Sequence, residues 1–121
     1  MTYTGIDLRV YDKNRWILLK EITAEIIPGV LTVTVPAGFV TDLASVPRIF
    51  WNIISPHGDH IRAAIIHDYM YANQWPKDIS DSCFLIVMQR DKVNMFKRML
   101  MHRAVKRFGD PSNSELIIVE V

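Results

Sequence analysis

An imidazole, two carboxyls and a phenol stand at spacings that acid–base chemistry can use: His67-Asp68, Tyr71 and Asp81. His67 lies seven residues before Gln74 and Asp81 seven residues after it. If the chain doubles back at Gln74 as two antiparallel helices, the two residues sit at one height. Helix axes packed about 8–10 Å apart then let an inward imidazole meet an inward carboxylate. A carboxylate bonded to one ring nitrogen fixes the tautomer and leaves the other nitrogen as a base. Tyr71 is one turn beyond His67 on nearly the same face, where its hydroxyl can brace the pair. Asp68 is turned by about 100° from His67 and can face a neighbouring loop. The bland alternative is equally concrete. His67 shares its helix with Ala63, Ala64, Ile65 and Ile66, and a histidine in such company is often a satisfied core residue.

The elements that would position these residues fall into two blocks that change over near residue 45. The first block reads as strands. Ile6 to Tyr11 alternates with period two, Asp12-Lys13-Asn14 is a turn-forming trio, and Trp16 to Leu19 returns as the partner of a hairpin. A second hairpin is expected from Ile22 to Ile27, a Pro28-Gly29 turn, and the β-branched run Val30 to Val35. Pro36 and Gly38 end it. The second block reads as four helices. Ser45 would cap one from Val46 that stops at Pro56-His57-Gly58, and Asp59 would cap another from His60 to Asn73. Trp75-Pro76 breaks the chain before a third from Lys77 to Asp91. The fourth runs from Val93 to Phe108 with an apolar seam of Val93, Phe96, Leu100, Ala104 and Phe108. Gly109 and Pro111 would end it. Leu116 to Val119 reads as a last strand that could join the N-terminal sheet. The expected fold class is therefore α+β in a single domain spanning residues 1–121. It has a β-rich part (1–44, strands at about 6–40), a helical part (45–109) and a C-terminal strand (115–121).

Composition narrows the function. The chain has 121 residues, 50% hydrophobic and 22% charged, enough for one real core. Its single cysteine, Cys83, excludes a disulfide scaffold and disfavours zinc. A net charge of +1 gives no global pull toward nucleic acid. No apolar run approaches the roughly 20 residues needed to span a bilayer, and the N-terminus has no signal-peptide pattern, so a cytoplasmic origin is expected.

The His67-Asp68-Tyr69-Met70-Tyr71 run, followed by Asp81-Ser82-Cys83-Phe84, resembles the active-site helix pair of phospholipase A(2) enzymes, chiefly their disulfide-poor members. The resemblance implies a catalytic set of His67 as base on water, Asp81 orienting it and Tyr71 supporting Asp81. It also implies Asp68 as a ligand of calcium, the cofactor expected, and an ester in a lipid or other anionic substrate. The glycine-rich calcium loop of those enzymes has no counterpart, because the corresponding interval, Pro47 to Trp51, contains no glycine. Calcium takes roughly six to eight oxygen ligands, so Asp68 needs help. The nearest substitute is Gly38-Phe39-Val40-Thr41-Asp42, from which Asp42 is expected to reach the His67-Asp68 end and share the metal. Its alternative use is bonding nearby backbone, as loop aspartates do. Arg48 is a candidate contact for an anionic substrate or a structural ion pair, and His60 a candidate relay member or a surface residue.

A second resemblance covers nearly the whole chain. VPAGFVTDLASVPRIFW, RAAIIHDYMY, SDSCF and HRAVKRFG, in that order, are similar to small phage and prophage proteins grouped as domain of unknown function 1353. It implies a bacteriophage origin, with action in the host bacterial cytoplasm or in the virion. Two functions follow. One is a metal-dependent ester hydrolase; the other is a noncatalytic virion or tail component, or a binder of host or phage proteins, that uses the same hairpin as a polar lock. The last helix adds one more feature. Arg98, His102 and Lys106 recur every four residues as a cationic stripe that suits anionic headgroups or, with no special role, solvent. Met95, Met99 and Met101 are expected as adaptable core filling.

Overall fold

A computed structural model describes residues 2–3, 6–42 and 58–121 of the chain. The alternating N-terminal segments fold as antiparallel strands: β1 (Thr2–Tyr3), β2 (Ile6–Asp12), β3 (Arg15–Leu18), β4 (Ile22–Ile27), β5 (Leu31–Val35) and β6 (Val40–Thr41). They form a four-stranded sheet in the order β1-β2-β3-β6 and a separate β4-β5 hairpin. The turn between β2 and β3 is set by Asp12, whose carboxylate accepts the Asn14 N–H at 3.2 Å and the Arg15 guanidinium at 2.6 Å. Period-two burial is clearest in β4, where Ile22, Ala24 and Ile26 point inward while Thr23, Glu25 and Ile27 point out.

Three helices follow among the described residues: α1 (Ile61–Ala72), α2 (Lys77–Arg90) and α3 (Met95–Phe108). Apolar residues of the strands (Leu8, Leu18, Ile26, Val35, Phe39) and of the helices (Ile65, Ile66, Met70, Phe84, Met88) share one buried cluster. Polar clasps fix the hairpin of strands to the helices. Arg62 makes a two-pronged contact with Asp91 at 2.9 and 2.8 Å and reaches the Thr23 carbonyl, and Arg90 donates to the Ile26 carbonyl at 2.6 Å.

The fold departs from the sequence expectation at four places. Three helices, rather than four, make up the described C-terminal part; the helix expected from Val46 lies outside the described residues, as do Arg48 and His57. The last strand is not formed. In its place stand a 3-10 turn (Pro111–Asn113) and an extended tail with a single bridge, Phe39 to Ile118. The edge that receives the tail explains this, because β6 is two residues long, and among the described residues the tail meets this edge through two backbone bonds, Val40 N–H to the Ile117 carbonyl and Val119 N–H to the Gly38 carbonyl, each 2.9 Å. The tail is held close there by Gly38, whose φ is +93° and where an added Cβ would lie 2.0 Å from the Val119 carbonyl oxygen. Asp59 does not cap α1; His60 occupies that position, fully buried and with no side-chain capping bond. Finally, the seam of α3 is rotated. Met101, Ala104 and Val105 face inward, whereas Phe96 and Phe108 are 66% and 65% exposed. Apolar residues occur all around this helix, so spacings of three and four trace two different stripes, and packing against α2 selects the other one.

Candidate functional site

The α1–α2 turn is built as the arithmetic requires. α1 ends at Ala72, and Gln74 takes a left-handed φ of 59°. Its side-chain amide donates to the Tyr71 and Pro111 carbonyls at 3.0 and 2.8 Å. Pro76, which cannot continue a helix from its N-terminal side, stands at the N-cap of α2. With the turn centred there, His67 and Asp81 meet: His67 Nε2 lies 2.7 Å from Asp81 Oδ1, with both residues buried.

Asp81 is the hub of a larger network. Tyr71 donates its hydroxyl to the same Oδ1 at 2.6 Å, and Lys77 donates to Oδ2 at 2.7 Å. Lys77 also donates to the Tyr71 oxygen at 3.1 Å and to the Val105 carbonyl at 2.6 Å, which ties α3 to the pair. Burial alone would raise the Asp81 carboxyl; the bonds from His67, Lys77 and Tyr71 outweigh it and bring the pKa down to about 2. Asp81 is therefore an ionised acceptor, and its contact assigns the hydrogen of the imidazole to Nε2. Burial pushes the His67 pKa below its ordinary 6.5, against the opposing pull of Asp81, so the ring is neutral at pH 7 with Nδ1 as its basic nitrogen. Burial and the Asp81 charge push the Tyr71 phenol upward, so it stays a donor. The imidazole packs between Tyr71 and Phe84, with ring centroids 4.1 and 4.8 Å away.

His67, Asp68, Asp42 and Tyr71 together line a cleft of about 330 Å³. Its far wall comes from Ala104, Val105 and Phe108 of α3, and its rim from Asp110, Asn113 and Ser114 of the tail. Asp68 turns toward β6, where Thr41 donates its hydroxyl to Asp68 Oδ2 at 2.5 Å. Burial, then the neighbouring Asp42 charge, raise the Asp68 carboxyl to about 7, against the opposing hydrogen bonds of Thr41 and the Asp42 backbone. Asp68 is thus a proton holder near neutral pH. Four of the five expected residues, His67, Tyr71, Asp68 and Asp42, line this cleft, and the fifth, Asp81, bonds His67 and Tyr71 and lines a second hollow with Lys77.

The donor set does not fit calcium among the described residues. No three histidine, cysteine or acidic side chains converge on a common point. The carboxylates of the described lining, Asp42, Asp68 and Asp110, do not gather at one point, short of the roughly six to eight oxygens that calcium takes. Among the described residues His60 is not part of the cleft lining; it is buried at the start of α1.

Sequence reasoning missed Lys77 and the tail, while Thr41 entered it as part of the Gly38 to Asp42 segment. Lys77 was legible as a lysine four residues before Asp81 on one helix, a spacing that brings side chains together. Gly109 was legible only as a helix end, yet its role is a close approach. A Cβ there would lie 2.4 Å from the Tyr71 hydroxyl and 2.5 Å from the Val105 carbonyl oxygen, while its φ of −63° is open to any residue.

No curated protein and no solved structure matches the chain. One family model does, over residues 16–105, a span that holds β3 to most of α3 and every member of the His67 network. By that match the chain belongs to the family described as Protein of unknown function (DUF1353).

Proposed function

We propose that this chain is a small ester hydrolase in which His67 is the general base. The observation that carries the reading is the 2.7 Å contact between His67 Nε2 and a buried, ionised Asp81 on the wall of an open cleft. In the reaction, His67 Nδ1 takes a proton from water as the water oxygen attacks the ester carbonyl carbon. Asp81, held by Tyr71 and Lys77, stabilises the imidazolium that forms. Collapse of the tetrahedral intermediate breaks the bond to the leaving alkoxide, and Asp68, with its pKa near 7, supplies the proton that makes it an alcohol. Solvent then returns the His67 proton to Asp68.

The cleft supports a choice of substrate. The α3 wall suits an acyl chain, and the tail rim suits a polar group. The described lining carries Asp42, Asp68 and Asp110 and no lysine or arginine, which favours a neutral or cationic polar group over an anionic one. The resemblance of the sequence blocks around Asp42, His67, Asp81 and Arg103 to small phage and prophage proteins is the ground on which we propose action inside a host bacterium or as part of a virion.

A second reading is favoured by one observation. Through Lys77, the Asp81 carboxylate binds α1, α2 and α3 at once, as a purely structural lock in a noncatalytic phage protein would. The two readings part on one experiment. A panel of fluorogenic esters of varied acyl length is offered to the wild type and to His67→Asn. Hydrolysis lost by a factor of about 10² or more in a variant that still folds supports the hydrolase. No hydrolysis of any ester by the wild type, or equal rates in both proteins, supports the lock.

A further inference from the structure

The rotated register of α3 leaves an unusual outer face. Met95, Phe96 and Met99 are 65%, 66% and 46% exposed, and they share one side of the helix with Arg103, Lys106 and Arg107, which are also exposed. Between Lys92 and Gly109 there is no aspartate or glutamate, so none of these cations is neutralised from within the helix. The apolar residues lie in the first half of the face and the cations in the second.

We propose that this face seats the protein on an anionic lipid bilayer. Three observations favour lipid over other occupants. The charges that α3 itself presents are all positive, complementary to anionic headgroups, with Asp78 and Asp81 of α2 bordering only the Lys106 edge. The apolar side chains protrude from a single convex helix, a shape that a fluid headgroup layer moulds around and a rigid partner would need a matching groove to receive. The residues are of the kinds that work at such a boundary: unbranched methionine and phenylalanine entering the acyl edge, and long arginine and lysine side chains reaching back to phosphates. Association is at the surface, since no described helix is long and apolar enough to cross a membrane. The inference stands on the outer face of α3 alone and does not depend on the chemistry of the cleft.

The test is sedimentation with vesicles of pure phosphatidylcholine and vesicles of phosphatidylcholine and phosphatidylglycerol in equal parts. The wild type should bind the anionic vesicles and not the neutral ones, with binding that weakens as salt rises. Arg103→Glu/Lys106→Glu should weaken binding by about tenfold or more. Phe96→Ser/Met99→Ser should weaken it as well while leaving the melting temperature unchanged. His67→Asn should bind like the wild type, which separates this result from any failure of the hydrolase reading. Absence of binding to anionic vesicles overturns the proposal. So does binding that follows charge alone and is indifferent to Phe96 and Met99, equally satisfied by a DNA duplex, because that outcome assigns the face to a polyanion.

Discussion

At the scale of single residues, two ionisable groups in the cleft are displaced in opposite senses, and each leaves a signature. The His67 pKa is lowered, so between it and 6.5 the unfolded chain binds more protons than the folded one. Stability from this group is therefore present above pH 6.5 and is lost as pH falls below it. The Asp68 pKa is raised from 3.8 to about 7, so its contribution is present at low pH and is lost as pH rises through 7. Asp68→Asn should accordingly raise the melting temperature at pH 8, with the gain shrinking toward pH 5; equal effects at both pH values would show that Asp68 is not a displaced carboxyl. If the chain hydrolyses esters, the same variant should lose the alkaline limb of the pH–rate profile near pH 7. Asp81 is a different case. Asp81→Ala removes one partner of a buried, multiply bonded charge and should cost roughly 3–5 kcal/mol in chemical denaturation. A loss below 1 kcal/mol would mean that the network adds little to the fold.

At the scale of elements, the legible and illegible parts have separate physical causes. The α1–α2 hairpin was readable because a short turn at Gln74 leaves no freedom in which residues face each other, and seven steps on either side lead to His67 and Asp81. Asp68 toward the Thr41-Asp42 loop was readable from the angle between consecutive helical residues. The register of α3 was not, because Met95, Phe96, Met99, Leu100, Met101, Ala104, Val105 and Phe108 populate every side of that helix. Met101→Ala should cost roughly 2–5 kcal/mol, whereas Phe96→Ser should fall within about 0.5 kcal/mol of the wild type. The reverse order of those losses would restore the seam through Phe96. The junction of α3 with the site is a close approach. Gly109→Ala would push a methyl group against the Tyr71 hydroxyl, so it should destabilise the chain and disturb the His67 environment together. A variant as stable as the wild type would show that the α3 end can give way freely.

At the scale of the whole molecule, a short edge strand and the C-terminal tail close on the site. β6 brings Thr41 and Asp42 to Asp68, and the tail brings Asp110, Asn113 and Ser114 to the opposite rim before it fastens beside Gly38. The sequence showed an apolar run at Leu116 to Val119 and suggested a strand, but strand formation depends on how much edge the receiving sheet offers, and that length is not written in the tail itself. Gly38→Ala should loosen this closure, because its new Cβ has no room beside Val119 and its φ disfavours alanine. Limited proteolysis should then cut the tail faster than in the wild type; unchanged cutting would show that the tail is held by contacts elsewhere. The helix that closes the cleft from its inner side carries the cationic, apolar face on its outer side, so one element serves both surfaces.

The most direct measurement is nitrogen-15 NMR of the His67 imidazole across a pH series. The account predicts a neutral ring at pH 7, with hydrogen on Nε2 and a lone pair on Nδ1, gaining its second proton only below pH 6.5. A ring already charged at pH 7, or one with its hydrogen on Nδ1, would contradict it.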